Sequence, residues 1–253
     1  MGDALVPNRL LEQLRARTTA RVGLGLVGSA LPTRPLLEFQ LAHARARDAV
    51  HDALAQGAFG TSIAGLPSIE VQSRAPDRAT YLRRPDLGRQ LDPADRARLS
   101  ADGCDLALIV ADGLSAAAVR QHAAPLVAAI AARLAHWRIG PIIVAHQARV
   151  AIGDEIGAAL GARMAIILIG ERPGLSAADS MSAYLTWAPR PGRLDSERNC
   201  VSNIRPPHGR HIDSAAADIA AIAEAARTAG VTGVALPDAA WQSRLPHADG
   251  GTS

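Results

Sequence analysis

The stretch that decides the fold is Leu106-Ala107-Leu108-Ile109-Val110, which ends in the polar turn Asp112-Gly113-Leu114-Ser115. A short, continuous apolar run bounded by turn residues is typical of a strand buried on both faces of a sheet. Ser115 can accept a hydrogen bond from a backbone N–H of a first helical turn, so it predicts a helix start. The alanine-rich segment Ala116 to Trp137 predicts that helix, and Gly140-Pro141 closes it.

The alternation of strand and helix continues along the chain. We predict strands at Pro141–Val144 and Met164–Ile169, a helix at Asp154–Leu160, extended stretches at Ala183–Trp187 and Cys200–Ile204, and a last helix at Ser214–Ala229 ending at Gly230. This order predicts an α/β fold, with a parallel sheet and helices on both of its faces. Ligands bind beyond the carboxyl ends of such strands, which selects the loops Asp112–Ser115, Ala145–Asp154 and Gly170–Ser176.

The first hundred residues predict a smaller, helical and irregular region. It holds a helix at Asn8–Thr18, a Gly/Pro-rich loop at Gly23–Pro35, a helix from Leu36 to Leu54 and a strand at Ser68–Arg74. We therefore divide the chain into an N-terminal region (1–100), a main domain (101–236) and a poorly ordered tail (237–253).

Composition narrows the class of protein. Hydrophobic residues make up 48% of the 253 residues and charged residues 20%, as in an ordinary globular protein. No apolar run reaches the roughly 18 residues that span a bilayer, and the N-terminus lacks the pattern of a secretory signal. Cys104 and Cys200 lie far apart, which favours intracellular thiols and a cytoplasmic location.

The basic residues exclude several kinds of chemistry. All 27 are arginine, so a lysine Schiff base and the lysine of a Walker-type phosphate loop are excluded. A net charge of +3 and an aromatic content of 3% argue against nucleic-acid binding.

One candidate ligand site stands out, at Gly170-Glu171-Arg172-Pro173-Gly174. It follows a predicted strand directly, so its two charged residues emerge at the carboxyl end of that strand. The glycines let a flat ligand approach the backbone, and Glu171 can accept hydrogen bonds from ligand amides. A salt-bridged turn is the purely structural alternative. The loop from Ala145 to Val150 has the same topological position.

Other patterns give weaker hypotheses. Gly23-Leu24-Gly25-Leu26-Val27-Gly28 matches the dinucleotide-binding fingerprint of a nucleotide-binding oxidoreductase, but a helix precedes it where a strand belongs. We interpret it as a connecting loop. His208 and His211 have no third ligand nearby, so no metal site is predicted. On its own residues, Cys200 is interpreted as a buried structural thiol.

Seven segments, in a fixed order, carry a resemblance to a known family. They are Leu31–Arg34, Leu36–Phe39, Tyr81–Arg89, Val110–Ser115, Gly153–Gly157, Leu168–Leu175 and Arg198–Ile204. With them the chain resembles the ethanolamine ammonia-lyase small (light) subunit, from about Thr18 to Ala229.

The resemblance implies a Rossmann-like domain that holds adenosylcobalamin jointly with a large TIM-barrel subunit. The cofactor contacts of the family fall on Val150, Glu171 and Cys200. It implies an ammonia-lyase subunit, active only with the large subunit, that helps to convert ethanolamine to acetaldehyde and ammonia by a radical mechanism. The substrate-binding side chains belong to the large subunit, so no catalytic residue is expected in this chain. A non-catalytic scaffold of the same fold is the alternative.

Two further expectations come with the family. Its cobalamin keeps dimethylbenzimidazole on cobalt, which fits a sequence without an Asp-x-His-x-x-Gly segment. Some members carry a long N-terminal extension linked to packaging in a bacterial microcompartment. This chain begins only a short helix before the shared region, so packaging is left open.

Overall fold

A sheet of seven strands forms the centre of the protein in the computed structural model, which describes residues 9–18, 20–100 and 103–242. Its spatial order is β1-β2-β4-β3-β5-β6-β7. The strands are β1 (Ser62–Ile63), β2 (Leu66–Gln72), β3 (Leu106–Ala111), β4 (Ile142–His146), β5 (Met164–Gly170), β6 (Met181–Trp187) and β7 (Asn199–Ile204).

The sheet is parallel only in its middle. β2, β4, β3 and β5 run parallel, whereas β1 at one edge and β6 and β7 at the other pair antiparallel. The α/β prediction is confirmed, and the prediction of a parallel sheet is corrected to a mixed one. The physical reason is the loop 171–180 between β5 and β6, which is shorter than the roughly dozen residues a parallel crossover requires.

Helices cover both faces of the sheet, as predicted. They are α1 (Arg9–Ala16), α2 (Thr33–His51), α3 (Arg78–Arg83), α4 (Pro93–Arg98), α5 (Ala116–Arg133), α6 (Ile152–Ala159), α7 (Ile212–Ala229) and α8 (Ala239–Gln242). Apolar residues of α5 and α7 pack with Leu108 and Ile166 on one face. Those of α6 pack with Ile109 and Ile167 on the other. Consecutive residues of a strand point to opposite faces, so one apolar run serves two cores.

Two predicted helix ends are confirmed in atomic detail. The Ser115 hydroxyl accepts the Ala118 backbone N–H at 3.2 Å and so caps α5. Gly230 ends α7 in the left-handed region, at φ 72°, which favours glycine. By contrast, the predicted helix from Ala116 to Trp137 ends early, at Arg133. After it the chain makes a turn in which Trp137 N–H donates to the Leu134 carbonyl at 2.8 Å.

The sheet takes strands from the N-terminal region. β2 lies within residues 1–100, pairs with β4 from Ser68 to Gln72, and forms a hairpin with β1 that was not predicted. The division at residue 100 therefore does not mark an edge of the sheet, and the division of the chain into an N-terminal region, a main domain and a tail stays a prediction. In the predicted tail, Ala239–Gln242 forms α8, and Trp241 packs against the core that holds α5 and α7. The rest of the tail, from 243, lies outside the described residues, as does Asn8 of the first predicted helix.

The glycine-rich segment at 23–28 lies between α1 and α2 and follows no strand. Val27 and Ala30 close a tight turn through paired backbone hydrogen bonds of 2.8 and 3.1 Å. The strand–turn–helix context of a dinucleotide site is missing, so the interpretation as a connecting loop is confirmed. Among the described residues, no helix is long and apolar enough to cross a membrane.

Candidate functional site

The carboxyl ends of β3, β4 and β5 meet at one edge of the sheet and border an open cavity of about 430 Å³. This is the edge that the topology rule selects for ligands. The cavity is lined by Tyr81, Gly113, Leu114, Arg149, Val150, Ile169, Gly170, Glu171, Arg172, Ser182, Tyr184 and Ser202. All three loops selected from the sequence are represented.

Asp112 fixes the turn after β4, which leads to the cavity-lining residues Arg149 and Val150. Its carboxylate is fully buried at the end of β3 and accepts the backbone N–H groups of Gln147 and Ala148, both at 3.0 Å. Burial raises the pKa of the Asp112 carboxyl, and the two N–H donors and nearby Arg78 oppose that rise. These bonds hold the turn after β4, where Gln147 has φ 51°, in a shape that residues other than glycine rarely adopt.

The turn after β3 lies in close backbone contact with the end of β5. A Cβ on Gly113 would lie 2.2 Å from the Gly170 carbonyl oxygen, and one on Gly170 would lie 2.2 Å from the Ser115 carbonyl oxygen. Leu114 N–H donates to the Gly170 carbonyl at 3.0 Å across this contact. Only glycine fits at both positions, so the strand-end turn is held directly against the start of α5.

Glu171 connects the β5 turn to β6 and β7. One carboxylate oxygen, Oε1, accepts the Ser182 hydroxyl and the backbone N–H of Asn203, the latter at 2.9 Å. Within the described ranges, Glu171 forms no ion pair, and no hydrogen bond reaches Oε2. The salt-bridged alternative therefore finds no support, and Oε2 of the half-buried Glu171 stays available to a ligand.

Val150 lines the same cavity as Glu171. It is half-buried in the turn that leads into α6, where its carbonyl accepts the Gly153 N–H at 3.1 Å. The structure thus brings together on one cavity two of the three residues that the resemblance selected.

Cys200 lies beside the cavity and is not among its lining residues. It pairs in register with Tyr184 of β6, and Tyr184 and Ser182 line the cavity. As a residue Cys200 is exposed, although neighbouring protein atoms shield its sulfur in part, which corrects the expectation of a buried structural cysteine. β7 is an edge strand, and Cys200 lies on its exposed face, opposite to the face that holds the buried Val201.

The surroundings of the Cys200 sulfur change its acidity. Exclusion of water by neighbouring protein atoms raises the pKa of the thiol; hydrogen bonds from Tyr184 and Ser182 oppose this, and the charge of Glu171 adds to it. Desolvation and the proximity of Cys200 raise the pKa of Tyr184 to about 12. Both groups are therefore neutral hydrogen-bonding groups at neutral pH.

We expect alkylation of Cys200 by iodoacetamide to rise with pH along a curve displaced above that of a free cysteine. Only the thiolate reacts, and a raised pKa leaves less thiolate at any given pH. The measurement is the alkylation rate of the Cys200 peptide by mass spectrometry. The Cys104→Ser variant serves as control, because Cys104 is buried. A rate that has already levelled off at neutral pH would contradict the expectation.

The sequence analysis did not identify Tyr81 as a residue of the site. Tyr81 is fully buried, donates its hydroxyl to the Ala148 carbonyl at 3.0 Å and lines the cavity. The signal was present, because a lone tyrosine in an arginine-rich segment of a chain with 3% aromatics is unusual. His208 and His211 are exposed, and the described residues contain no group of three or more His, Cys, Asp or Glu that could hold a metal ion.

Comparison with known proteins gives a consistent result. The family model of the ethanolamine ammonia-lyase light chain (EutC) matches residues 8–237. The chain is similar to proteins named ethanolamine ammonia-lyase small subunit from three bacteria. Identity is 52% over 246 residues for Bradyrhizobium diazoefficiens, covering 94% of each chain. It is 53% over 235 residues for Rhodopseudomonas palustris, covering 90% of each. For Azotobacter vinelandii it is 48% over 250 residues, covering 95% of this chain and 92% of the relative.

Proposed function

Because this chain belongs to the ethanolamine ammonia-lyase light chain family, we propose that it is the small subunit of an adenosylcobalamin-dependent ethanolamine ammonia-lyase. Its role in that complex is to hold one side of the corrinoid in the cavity at the carboxyl ends of β3, β4 and β5. The observation that carries the proposal is the position of Val150 and Glu171, which the family resemblance selected, on that one cavity.

The polar groups of the cavity fit a corrinoid. The rim of a corrin ring carries amide side chains, whose N–H groups seek acceptors such as Oε2 of Glu171. Val150 and Ile169 supply an apolar surface for the ring. Ser182 and Ser202 and the neutral Tyr184 phenol add hydroxyl groups that donate or accept as the ligand requires.

The size of the cavity supports a shared site. Clefts of about 300–1,000 Å³ enclose drug-sized ligands, and a cobalamin is larger than these. A cavity of about 430 Å³ that opens to solvent therefore covers only part of the cofactor. We infer that a second protein covers the remainder.

A partner also accounts for the N-terminal surface. α1 and α2 contain no buried residue, and large apolar side chains of this part of the chain face solvent. They are Leu10, Leu14, Leu26, Val27, Leu31, Leu36, Leu37, Phe39 and Leu41. Exposed apolar residues concentrated in one segment are typical of protein interfaces. The large subunit of the lyase is the partner that we propose.

The cofactor and this chain have different roles in the proposed complex. Adenosylcobalamin, when bound, supplies the radical chemistry. This chain orients the cofactor through Glu171 and Val150 and excludes water from the side of the ring that it covers. No residue of the chain is proposed to touch ethanolamine. We place the complex in the cytoplasm, in keeping with the free thiols of Cys104 and Cys200.

Reconstitution tests the function. We expect acetaldehyde from ethanolamine only when this chain, the large subunit and adenosylcobalamin are all present, and none when any one of them is omitted. A scaffold of the same fold would assemble with the large subunit without binding corrinoid. A correctly assembled complex that binds the cofactor and releases no acetaldehyde would refute the lyase assignment.

Glu171→Gln should weaken binding of adenosylcobalamin to the complex by about 10-fold or more, with little change in thermal stability. Glutamine keeps one oxygen for Ser182 and Asn203, but it replaces Oε2 with an amide nitrogen that cannot accept a ligand N–H. Hydrogen bonds to charged groups contribute about 1.5–3 kcal/mol, and about 1.4 kcal/mol is tenfold in affinity. Equilibrium dialysis of the complex measures the loss.

Glu155→Gln is the matched control. Its carboxylate likewise accepts a backbone N–H, from Leu91 at 2.9 Å, but it does not line the cavity. It should change neither stability nor cofactor affinity appreciably, because glutamine keeps one oxygen for the Leu91 N–H. Equal losses of stability and affinity in Glu171→Gln would assign Glu171 a structural role only.

A further inference from the structure

Arg149 lines the cavity, and contacts with its neighbours restrict its side chain. Its backbone N–H donates to the Gly88 carbonyl at 2.7 Å, and its guanidinium lies 4.4 Å from the centre of the Tyr81 ring. Arg78 stacks on the same ring at 4.8 Å. A Cβ on Gly88 would lie 3.0 Å from Cγ of Arg149, so glycine there leaves room for the side chain. Few rotamers remain open to Arg149.

The two arginines differ in how their charges are compensated. Arg78 lies 3.6 Å from the Asp112 carboxylate and donates to the Gly113 carbonyl at 2.8 Å. Among the described residues, no carboxylate pairs with Arg149, and its buried Nε has no hydrogen-bond acceptor. Burying part of a cation without an acceptor is costly, so such groups are normally paired.

A purely structural arginine in this chain looks different. Arg198 binds both oxygens of the Asp154 carboxylate, the Thr186 hydroxyl and the Arg193 carbonyl. Arg149 instead lines the main cavity and also a neighbouring one, formed with Pro85, Arg89, Ala151 and Asp195. Its position suits an anionic group that enters from outside the protein.

We propose that Arg149 binds the phosphodiester of the nucleotide loop of the corrinoid, an inference that rests on the proposed function. A cobalamin carries neutral amide side chains and one phosphodiester, which is the anionic group on its rim. A planar guanidinium pairs with phosphate oxygens through two parallel N–H bonds. Glu171 then accepts from amide groups of the ring while Arg149 holds the nucleotide loop, and together they fix the orientation of the ring over the sheet edge.

The test compares two corrinoids that differ in the nucleotide loop. The complex of this chain with the large subunit is titrated with cobalamin and with cobinamide, which lacks the nucleotide loop and its phosphodiester. We expect Arg149→Gln to weaken cobalamin binding by about 10- to 100-fold and cobinamide binding by less than about 2-fold. Arg149→Lys, which keeps the charge without the planar fork, should fall between wild type and Arg149→Gln for cobalamin.

The titrations of the two corrinoids distinguish the role of Arg149 from the proposed function. Equal losses for both corrinoids in Arg149→Gln, or no loss for either, would overturn the inference. If that variant fails to assemble, the cobalamin-to-cobinamide affinity ratio of Arg149→Lys takes its place, and an unchanged ratio refutes the inference. A wild-type complex that binds neither corrinoid would refute the proposed function. A wild-type complex that binds both with equal affinity would refute only the role of Arg149.

Discussion

Replacing Arg198 with methionine should lower the free energy of unfolding by about 3–5 kcal/mol, because it leaves the buried Asp154 carboxylate without a counter-ion. The two side chains form a two-pronged pair at 2.6 and 2.8 Å and are 2% and 3% exposed. Burial lowers the pKa of Arg198, but the bonds to Asp154 outweigh it and raise that pKa overall. The pair joins α6, just after Val150, to the start of β7, just before Cys200.

Urea unfolding followed by tryptophan fluorescence measures the loss. The control is Arg34→Met, which breaks an ion pair with Glu38 whose side chains are 90% and 59% exposed. That variant should lose no more than about 1 kcal/mol. Removing both buried charges together, with Asp154→Leu and Arg198→Met, should recover most of the loss. Equal stability of Arg198→Met and Arg34→Met would show that the buried pair does not anchor β7.

The second large effect that we expect is that of Gly170→Ala. This substitution should lower the free energy of unfolding by about 3 kcal/mol and abolish cofactor binding. The added methyl group would meet the carbonyl oxygens of Ser115 and Asp112 at 2.2 and 2.6 Å. These atoms belong to the backbone at the start of α5 and the end of β3, so they cannot turn away as a side chain would. The strand end must shift, and Glu171 shifts with it.

Gly174→Ala, in the same turn, is the matched control. Its methyl group would meet nothing closer than the Ala177 carbonyl oxygen at 3.9 Å. Its stability should stay within about 0.5 kcal/mol of wild type. Thermal unfolding separates the two variants, since 1 kcal/mol shifts Tm by about 2–4 °C for a chain of this size. If the Gly170→Ala and Gly174→Ala proteins had the same Tm, the result would contradict the backbone contact between β3 and β5.

The central strands were predictable because burial on both faces leaves a plain apolar run, as in Leu106–Val110 and Met164–Ile169. The direction of β6 and β7 was not, because an apolar strand carries no mark of whether its neighbour runs parallel or antiparallel. The length of the loop 171–180 was the available signal. The short β1 was missed because two residues are too few to show a period.

At the site, position within the sheet was enough to find Glu171 and the loop that contains Val150. Cys200 came from family resemblance alone, because its nearness to Tyr184 depends on the register of two antiparallel strands. The contact between Arg149 and Tyr81 could not be predicted either, because it joins segments that lie far apart in the chain. Contacts of this kind depend on tertiary packing, which local sequence patterns do not record.

Equilibrium binding of adenosylcobalamin to the purified complex of this chain with its large subunit is the most direct test of the central claim. We expect saturable binding to the wild-type complex, and weaker binding when Glu171 at the cavity is changed to glutamine. A folded, fully assembled complex that binds no corrinoid, or that binds it equally well with Glu171→Gln and Arg149→Gln combined, would contradict a corrinoid site at this edge of the sheet.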